Sequence, residues 1–162
     1  PDGREIEADL LILATGFHTH NYMRPMTLTG RDGLEIDHAW AKGPRAYRMT
    51  AIPGFPNYFT VLGPNSPTGS IPLHFSAELT AGYIAQWLHR FRVGEFDTVE
   101  VTDEATTKFN DDVAAALGPT VWNTGCNSWY LTDEGNIDLW PFDRKTMTAL
   151  LARPDDRDFH IA

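Results

Sequence analysis

Two turns built around glycine, each closing an apolar run, are where residue type and spacing in this chain point to chemistry. Residues 10–14 run unbroken as Leu-Leu-Ile-Leu-Ala into Thr15-Gly16-Phe17, and residues 58–62 run into Gly63-Pro64-Asn65-Ser66. Glycine lets another chain or a ligand come close because it has no Cβ, and open α/β sheets seat ligands at such strand ends. The second turn precedes an amphipathic stretch, giving the order strand, glycine loop, helix. The N–H groups and dipole at a helix start favour negative charge nearby. An ordinary strand-to-helix connection has the same form, and neither G-x-G-x-x-G nor a Walker sequence occurs in the chain.

The remaining reactive side chains form weaker constellations. His18 and His20 are metal-ligand types, but no neighbouring Cys or carboxylate completes a set, so no metal is expected. Cys126 is the only cysteine. Nothing local activates it, and it reads as a buried structural thiol. Asp111-Asp112 and Asp155-Asp156 read as solvated charges, and 133–138 lacks the ligand spacing of an EF-hand.

The elements that must position these residues follow from periodicity. Residues 10–14 and 58–62 are predicted as strands buried on both faces, as in a parallel sheet. Pro1-Asp2-Gly3 reads as a turn and 4–8 as a half-exposed strand, the second arm of a hairpin, which suggests a piece of a longer protein. Leu34-Glu35-Ile36 is a short strand candidate. Phe75, Leu79, Tyr83, Ile84, Trp87, Leu88 and Phe91 fall on one face of a long helix that Gly94 closes. A strand over 98–101 leads to a helix with Asp103 and Glu104 in its first turn, where negative charge is favoured. Its stripe is Phe109, Val113 and Leu117, and Gly118-Pro119 stops it. Residues 129–131 and 137–140 flank a turn and predict a β-hairpin. A last helix is predicted from Asp143 through Met147, Leu150 and Leu151 to Arg153.

Composition narrows the classes. A chain of 162 residues with 42% hydrophobic and 12% aromatic content has enough apolar surface for a core. A net charge of −9 with 13 Lys and Arg argues against nucleic acid or an anionic membrane surface as partner. No apolar run approaches the roughly 20 residues that span a bilayer. A single cysteine is compatible with a reducing compartment, and a cytoplasmic location is expected.

Together these motifs carry a family resemblance. Asp9 to Phe17 resembles the late D-x-x-x-x-A-T-G-[FY] strand of class B flavoprotein monooxygenases. Gly54-Phe55-Pro56-Asn57-Tyr58-Phe59 followed by Gly63-Pro64-Asn65-Ser66 resembles the segment that follows it. Val121-Trp122, Gly125-Cys126, Ser128-Trp129-Tyr130, Gly135-Asn136 and Leu139-Trp140-Pro141 resemble the carboxy-terminal signature of the Baeyer–Villiger branch. The match spans nearly the whole chain in order.

The resemblance implies an α/β fold: the closing part of a doubly wound, Rossmann-like FAD-binding domain with a mixed α+β carboxy-terminal extension. Residues 1–93 would close the FAD/NAD(P)-binding domain and 94–162 would shape the substrate cavity. It implies FAD and NADPH as cofactors and insertion of one oxygen atom from O2 into a ketone or aldehyde, giving an ester or lactone. Thr15, Gly16 and Phe17 would pass close to FAD. Gly63, Pro64, Asn65 and Ser66 would sit beside the isoalloxazine, with a helix amino end near its electron-rich edge, and Trp129 and Tyr130 would line or brace the substrate cavity. The family's glycine fingerprints and catalytic arginine have no counterpart here. None of Arg24, Arg31, Arg45 or Arg48 is assigned that role, and the chain alone is expected to be inactive, with amino-terminal FAD and NADPH domains as its partners. The rival readings are an N- or S-oxidising flavin monooxygenase and a non-catalytic substrate-cap or dimerisation module.

Overall fold

Periodic apolar residues become helices, and the helices carry the core. A computed structural model describes residues 3–67, 69–125 and 128–162. In chain order the regular elements are a 3-10 turn Arg31–Gly33, α1 (Ile36–Ala39), α2 (Leu73–Arg92), β1 (Val99–Val101), α3 (Asp103–Leu117), a 3-10 turn Val121–Asn123, α4 (Arg144–Leu150), a 3-10 turn Asp156–Asp158 and β2 (Phe159–Ile161). Among the described residues the sheet is one antiparallel pair, with Val99 opposite Ile161 and Val101 opposite Phe159.

The two long helices stand where periodicity put them. Gly94, at φ +78°, ends α2 by giving its N–H to Phe91, a left-handed position that suits glycine. The buried face of α2 differs from expectation: it is Ser76, Thr80, Tyr83 and Trp87, while Leu88 and Phe91 are at least half exposed. Thr80 tolerates burial because its hydroxyl donates to the Ser76 carbonyl one turn back. Helix α3 buries Thr106 with the expected Phe109, Val113 and Leu117, and the Thr102 side chain caps it by accepting the Ala105 N–H at 3.1 Å. Asp143 caps α4 through the Thr146 N–H at 2.8 Å, and Met147 and Leu151 are buried as expected.

Four predicted strands are corrected. Residues 10–14 form no strand: Leu10, Leu11, Ile12 and Leu13 are each 76–79% exposed. An apolar run becomes a buried strand only when neighbouring strands take its N–H and C=O groups, and no strand among the described residues pairs with it. Residues 4–8 are likewise exposed and non-regular. Residues 58–62 make only an isolated bridge, Phe59 with Ala51, and the chain then turns at Leu62, φ +59°. Leu34-Glu35-Ile36 gives one bridge, Glu35 with Thr29, before Ile36 starts α1. The hairpin is present in reduced form as the bridge Leu131–Ile137, with Asp138 N–H donating to the Tyr130 carbonyl at 2.8 Å. Strand β2 was not anticipated. A doubly wound parallel sheet is not seen among the described residues; helices with a small antiparallel sheet are.

One apolar cluster joins Tyr47, Met49 and Ala51 with Tyr83 and Trp87 of α2, the β1–β2 pair, the stripe of α3, and Leu139, Trp140 and Met147. Residues on both sides of the expected 93/94 boundary therefore share one core. Trp87 is its centre, with ring centroids 4.6 Å from Phe159, 5.9 Å from Phe96 and 6.4 Å from Phe59. A smaller cluster holds Ile36, Ala46, Ile52 and Phe55. No helix among the described residues is long and apolar enough to cross a membrane.

Candidate functional site

The turn at Gly63 is set by the tight loop before it. Arg48 and Met49 are both left-handed, at φ +47° and +64°. The Met49 carbonyl accepts the Gly63 N–H at 2.9 Å, and a Cβ on Gly63 would stand 2.6 Å from that carbonyl oxygen. Only glycine fits there. Thr60 fastens the same loop, its hydroxyl 3.2 Å from the carbonyls of both Met49 and Thr50.

Gly63, Pro64, Asn65 and Ser66 are all buried. Asn65 is left-handed at φ +67°, a conformation asparagine accepts more readily than most residues. Its N–H donates to Asp138 Oδ1 at 2.5 Å, and its side-chain Nδ2 donates to Asn110 Oδ1 at 2.9 Å. Asn110 Nδ2 in turn donates to the carbonyls of Thr106, on α3, and Ala46. Ser66 gives both its N–H and its hydroxyl to the Gly63 carbonyl. Helix α2 starts only at Leu73, and neither an acidic residue in its first turn nor a side-chain cap closes its amino end.

Asp138, in sequence only the end of the 133–138 stretch without EF-hand spacing, is 4% exposed and central. Its Oδ2 accepts the Tyr22 hydroxyl at 2.6 Å and lies 3.6 Å from His20 Nε2. Burial raises its pKa above the usual carboxylate value, against the opposing pull of the Tyr22 and Asn65 donors and of His20. The Tyr22 hydroxyl is pushed upward by burial and by the Asp138 charge. The available signal was an aspartate between Ile137 and Leu139 in an apolar run. Beyond Asn65 and Asp138 opens a cleft of about 740 Å³, lined also by Pro44, Asn110, Val113 and Asn136.

The other candidates lie apart from this centre or at its edge. Thr15, Gly16 and Phe17 are exposed, Phe17 at 95%; Gly16 is left-handed at φ +81° with open space where a Cβ would be. No hydrogen bond joins them to Gly63, Pro64, Asn65 or Ser66 among the described residues. Trp129 is 56% exposed and Tyr130 packs against the main core, their rings 5.9 Å apart and edge to face. The Thr19 hydroxyl donates to the Trp129 carbonyl at 2.9 Å, so residues 19–22 bridge the hairpin and Asp138. Cys126 lies outside the described residues. The four arginines have local partners: Arg24 with Asp37, Arg31 with Glu100, Arg45 with Asp103, and Arg48 with the carbonyls of Leu150 and Arg153.

No protein-family model matches the chain. Among curated proteins, an uncharacterised monooxygenase of Mycobacterium tuberculosis is 50% identical over 97% of this chain and 32% of its own length. Proteins named Baeyer–Villiger monooxygenase from Pseudomonas aeruginosa and Streptomyces coelicolor are 32% and 35% identical, over 99% and 93% of this chain and 31% of each relative. Among solved structures, a closed form of cyclohexanone monooxygenase superposes with a TM-score of 0.85 at 26% identity, over 99% of this chain and 32% of that one. The chain thus spans about a third of the length of the curated relatives it matches. In sequence and in fold, it resembles the carboxy-terminal part of flavoprotein monooxygenases of the Baeyer–Villiger branch.

Proposed function

We propose that this chain is the carboxy-terminal part of a cytoplasmic FAD- and NADPH-dependent monooxygenase that converts a ketone or aldehyde to an ester or lactone. The observation that carries the reading is the likeness, over nearly the whole chain, to two proteins named for Baeyer–Villiger oxidation. The overall reaction balances as ketone, O2, NADPH and a proton going to ester, water and NADP+. Residues 1–93 complete the cofactor-binding region and 94–162 shape the substrate cavity, the two stretches bound into one unit by their common core.

The residues present fit a flavin by shape more than by donors. The N–H groups of Gly63, Asn65 and Ser66 are engaged within the chain, so Gly63, Pro64, Asn65 and Ser66 offer a rigid, buried wall. The amino end of α2, without cap or acid, suits an electron-rich group. Thr15, Gly16 and Phe17 offer open backbone to a cofactor or to the rest of an FAD domain, and the exposed apolar run before them suits burial in that domain's sheet. Trp129, beside the half-buried Tyr130, is placed to face a substrate cavity. Bound flavin supplies the redox chemistry, moving electrons from NADPH to O2; this chain's part is to hold the shape that keeps water from the reacting centre.

The full-length enzyme, purified, is expected to be yellow and to oxidise NADPH faster when a ketone is added, with an ester as product. Oxidation of amines or sulfides with ketones inert would favour the N- or S-oxidising alternative. A colourless protein without turnover would favour the non-catalytic module.

A further inference from the structure

Tyr22, Asn65 and Asp138 come from three distant stretches of the chain and meet at one carboxylate. Asp138 Oδ1 takes the Asn65 N–H at 2.5 Å and Oδ2 takes the Tyr22 hydroxyl at 2.6 Å, with His20 Nε2 at 3.6 Å. Hydrogen bonds to a carboxylate are stronger than neutral ones, and a buried carboxylate stripped of donors is costly. Asn65 is gripped from its other side as well, through Asn110, which is tied back to α3 by donation to the Thr106 carbonyl at 2.7 Å. Two residues further on, the Trp140 N–H donates to the Pro67 carbonyl at 2.7 Å. The left-handed turn at Asn65 is therefore clamped by the hairpin along its backbone and by α3 through its side chain.

The geometry points to Asp138 as a positioning residue: by taking the Asn65 N–H it fixes the wall formed by Gly63, Pro64, Asn65 and Ser66, and so sets how much of the NADPH consumed ends in oxygenated product. The inference rests on the proposed function, which puts that wall against the flavin. A displacement of about 1 Å at a reacting centre is enough to cost turnover heavily. A wall that shifts also admits water, and the electrons then leave as hydrogen peroxide, with O2, NADPH and a proton giving H2O2 and NADP+.

The test uses the full-length, flavin-loaded enzyme with Asp138→Ala, Asp138→Asn and, as a packing control, Met147→Ala. Asp138→Ala is expected to speed hydrogen exchange at the Asn65 amide at least about tenfold, as loss of a charge-assisted hydrogen bond implies. It should also lower the ratio of ester formed to NADPH oxidised several-fold, with hydrogen peroxide making up the difference. Asp138→Asn keeps an acceptor oxygen for Asn65 and should restore most of both. Met147→Ala should lower Tm and move neither. If Asp138→Ala does not fold, Tyr22→Phe, which takes one donor from the same carboxylate, must move both readouts in the same direction; no movement overturns the role. If the wild type makes ester and Asp138→Ala matches its product ratio, the positioning role falls and the proposed function stands. If the wild type holds no flavin or makes no ester, the proposed function falls and the role with it.

Discussion

Arg31 holds Glu100 with two parallel hydrogen bonds, Nε to Oε2 at 3.0 Å and Nη2 to Oε1 at 2.8 Å. The same carboxylate accepts the Gly54 N–H at 3.0 Å, and the Arg31 N–H returns to the Gly54 carbonyl at 2.7 Å. A turn, a glycine loop and β1 are thereby locked together around one acid whose side chain is 9% exposed. These donors, Arg31 first, hold the Glu100 pKa below its usual value.

Glu100→Gln should lower stability at pH 7 by about 1–2 kcal/mol, less than a fully buried pair would lose because the Arg31 side faces water. A group with a lowered pKa stabilises above its ordinary value, here 4.5, and the contribution is lost as pH falls through the lowered value. Urea denaturation of wild type and variant should therefore show a gap at pH 7 that closes below pH 4.5. A gap independent of pH would contradict this.

Asp138 predicts the opposite sign. Its pKa is raised above the ordinary 3.8, so its contribution is fully present below 3.8 and is lost as pH rises through the raised value. Relative to Asp138→Asn, the wild type should gain stability as pH is lowered from 7 to 4. The same pair of denaturation series reads it out.

Trp87 is 1% exposed and touches aromatic rings from three segments. Trp87→Ala should cost about 3–5 kcal/mol, the range for deleting a large buried aromatic. A loss under about 1 kcal/mol by chemical denaturation would mean that the core is centred elsewhere.

Leu11 is 79% exposed. Leu11→Lys should change the stability of the isolated chain by no more than about 0.5 kcal/mol, as for other exposed positions, while reducing its self-association in analytical ultracentrifugation. In the full-length enzyme the same change should lower flavin content, because the proposed function buries this run in a sheet.

The helices were legible because their evidence is local. A stripe such as Phe109, Val113 and Leu117 needs only its own turn-by-turn spacing, while Asp103 and Glu104 mark a start by charge and Gly94 an end by backbone conformation. The apolar run at 10–14 was not, because strand identity lies in the neighbour that supplies the hydrogen bonds. Strand β2 escaped because Phe159–Ile161 is three residues with a histidine at its centre. At the candidate site, Gly63 and Asn65 stood out by residue type. Asp138 did not, since its importance comes from partners 73 and 116 residues away in sequence. Ser76 and Thr80 were likewise invisible to an apolar count, although their short polar side chains let α2 sit close to the core.

The central claim is that the protein carrying this chain inserts an oxygen atom from O2 beside a carbonyl. Turnover of a ketone by the full-length enzyme under 18O2, with the products weighed by mass spectrometry, tests it most directly. The account predicts an ester carrying one 18O atom and the other appearing in water. Ketone returned unchanged, with 18O found only in hydrogen peroxide or in amine or sulfide oxides, would contradict it.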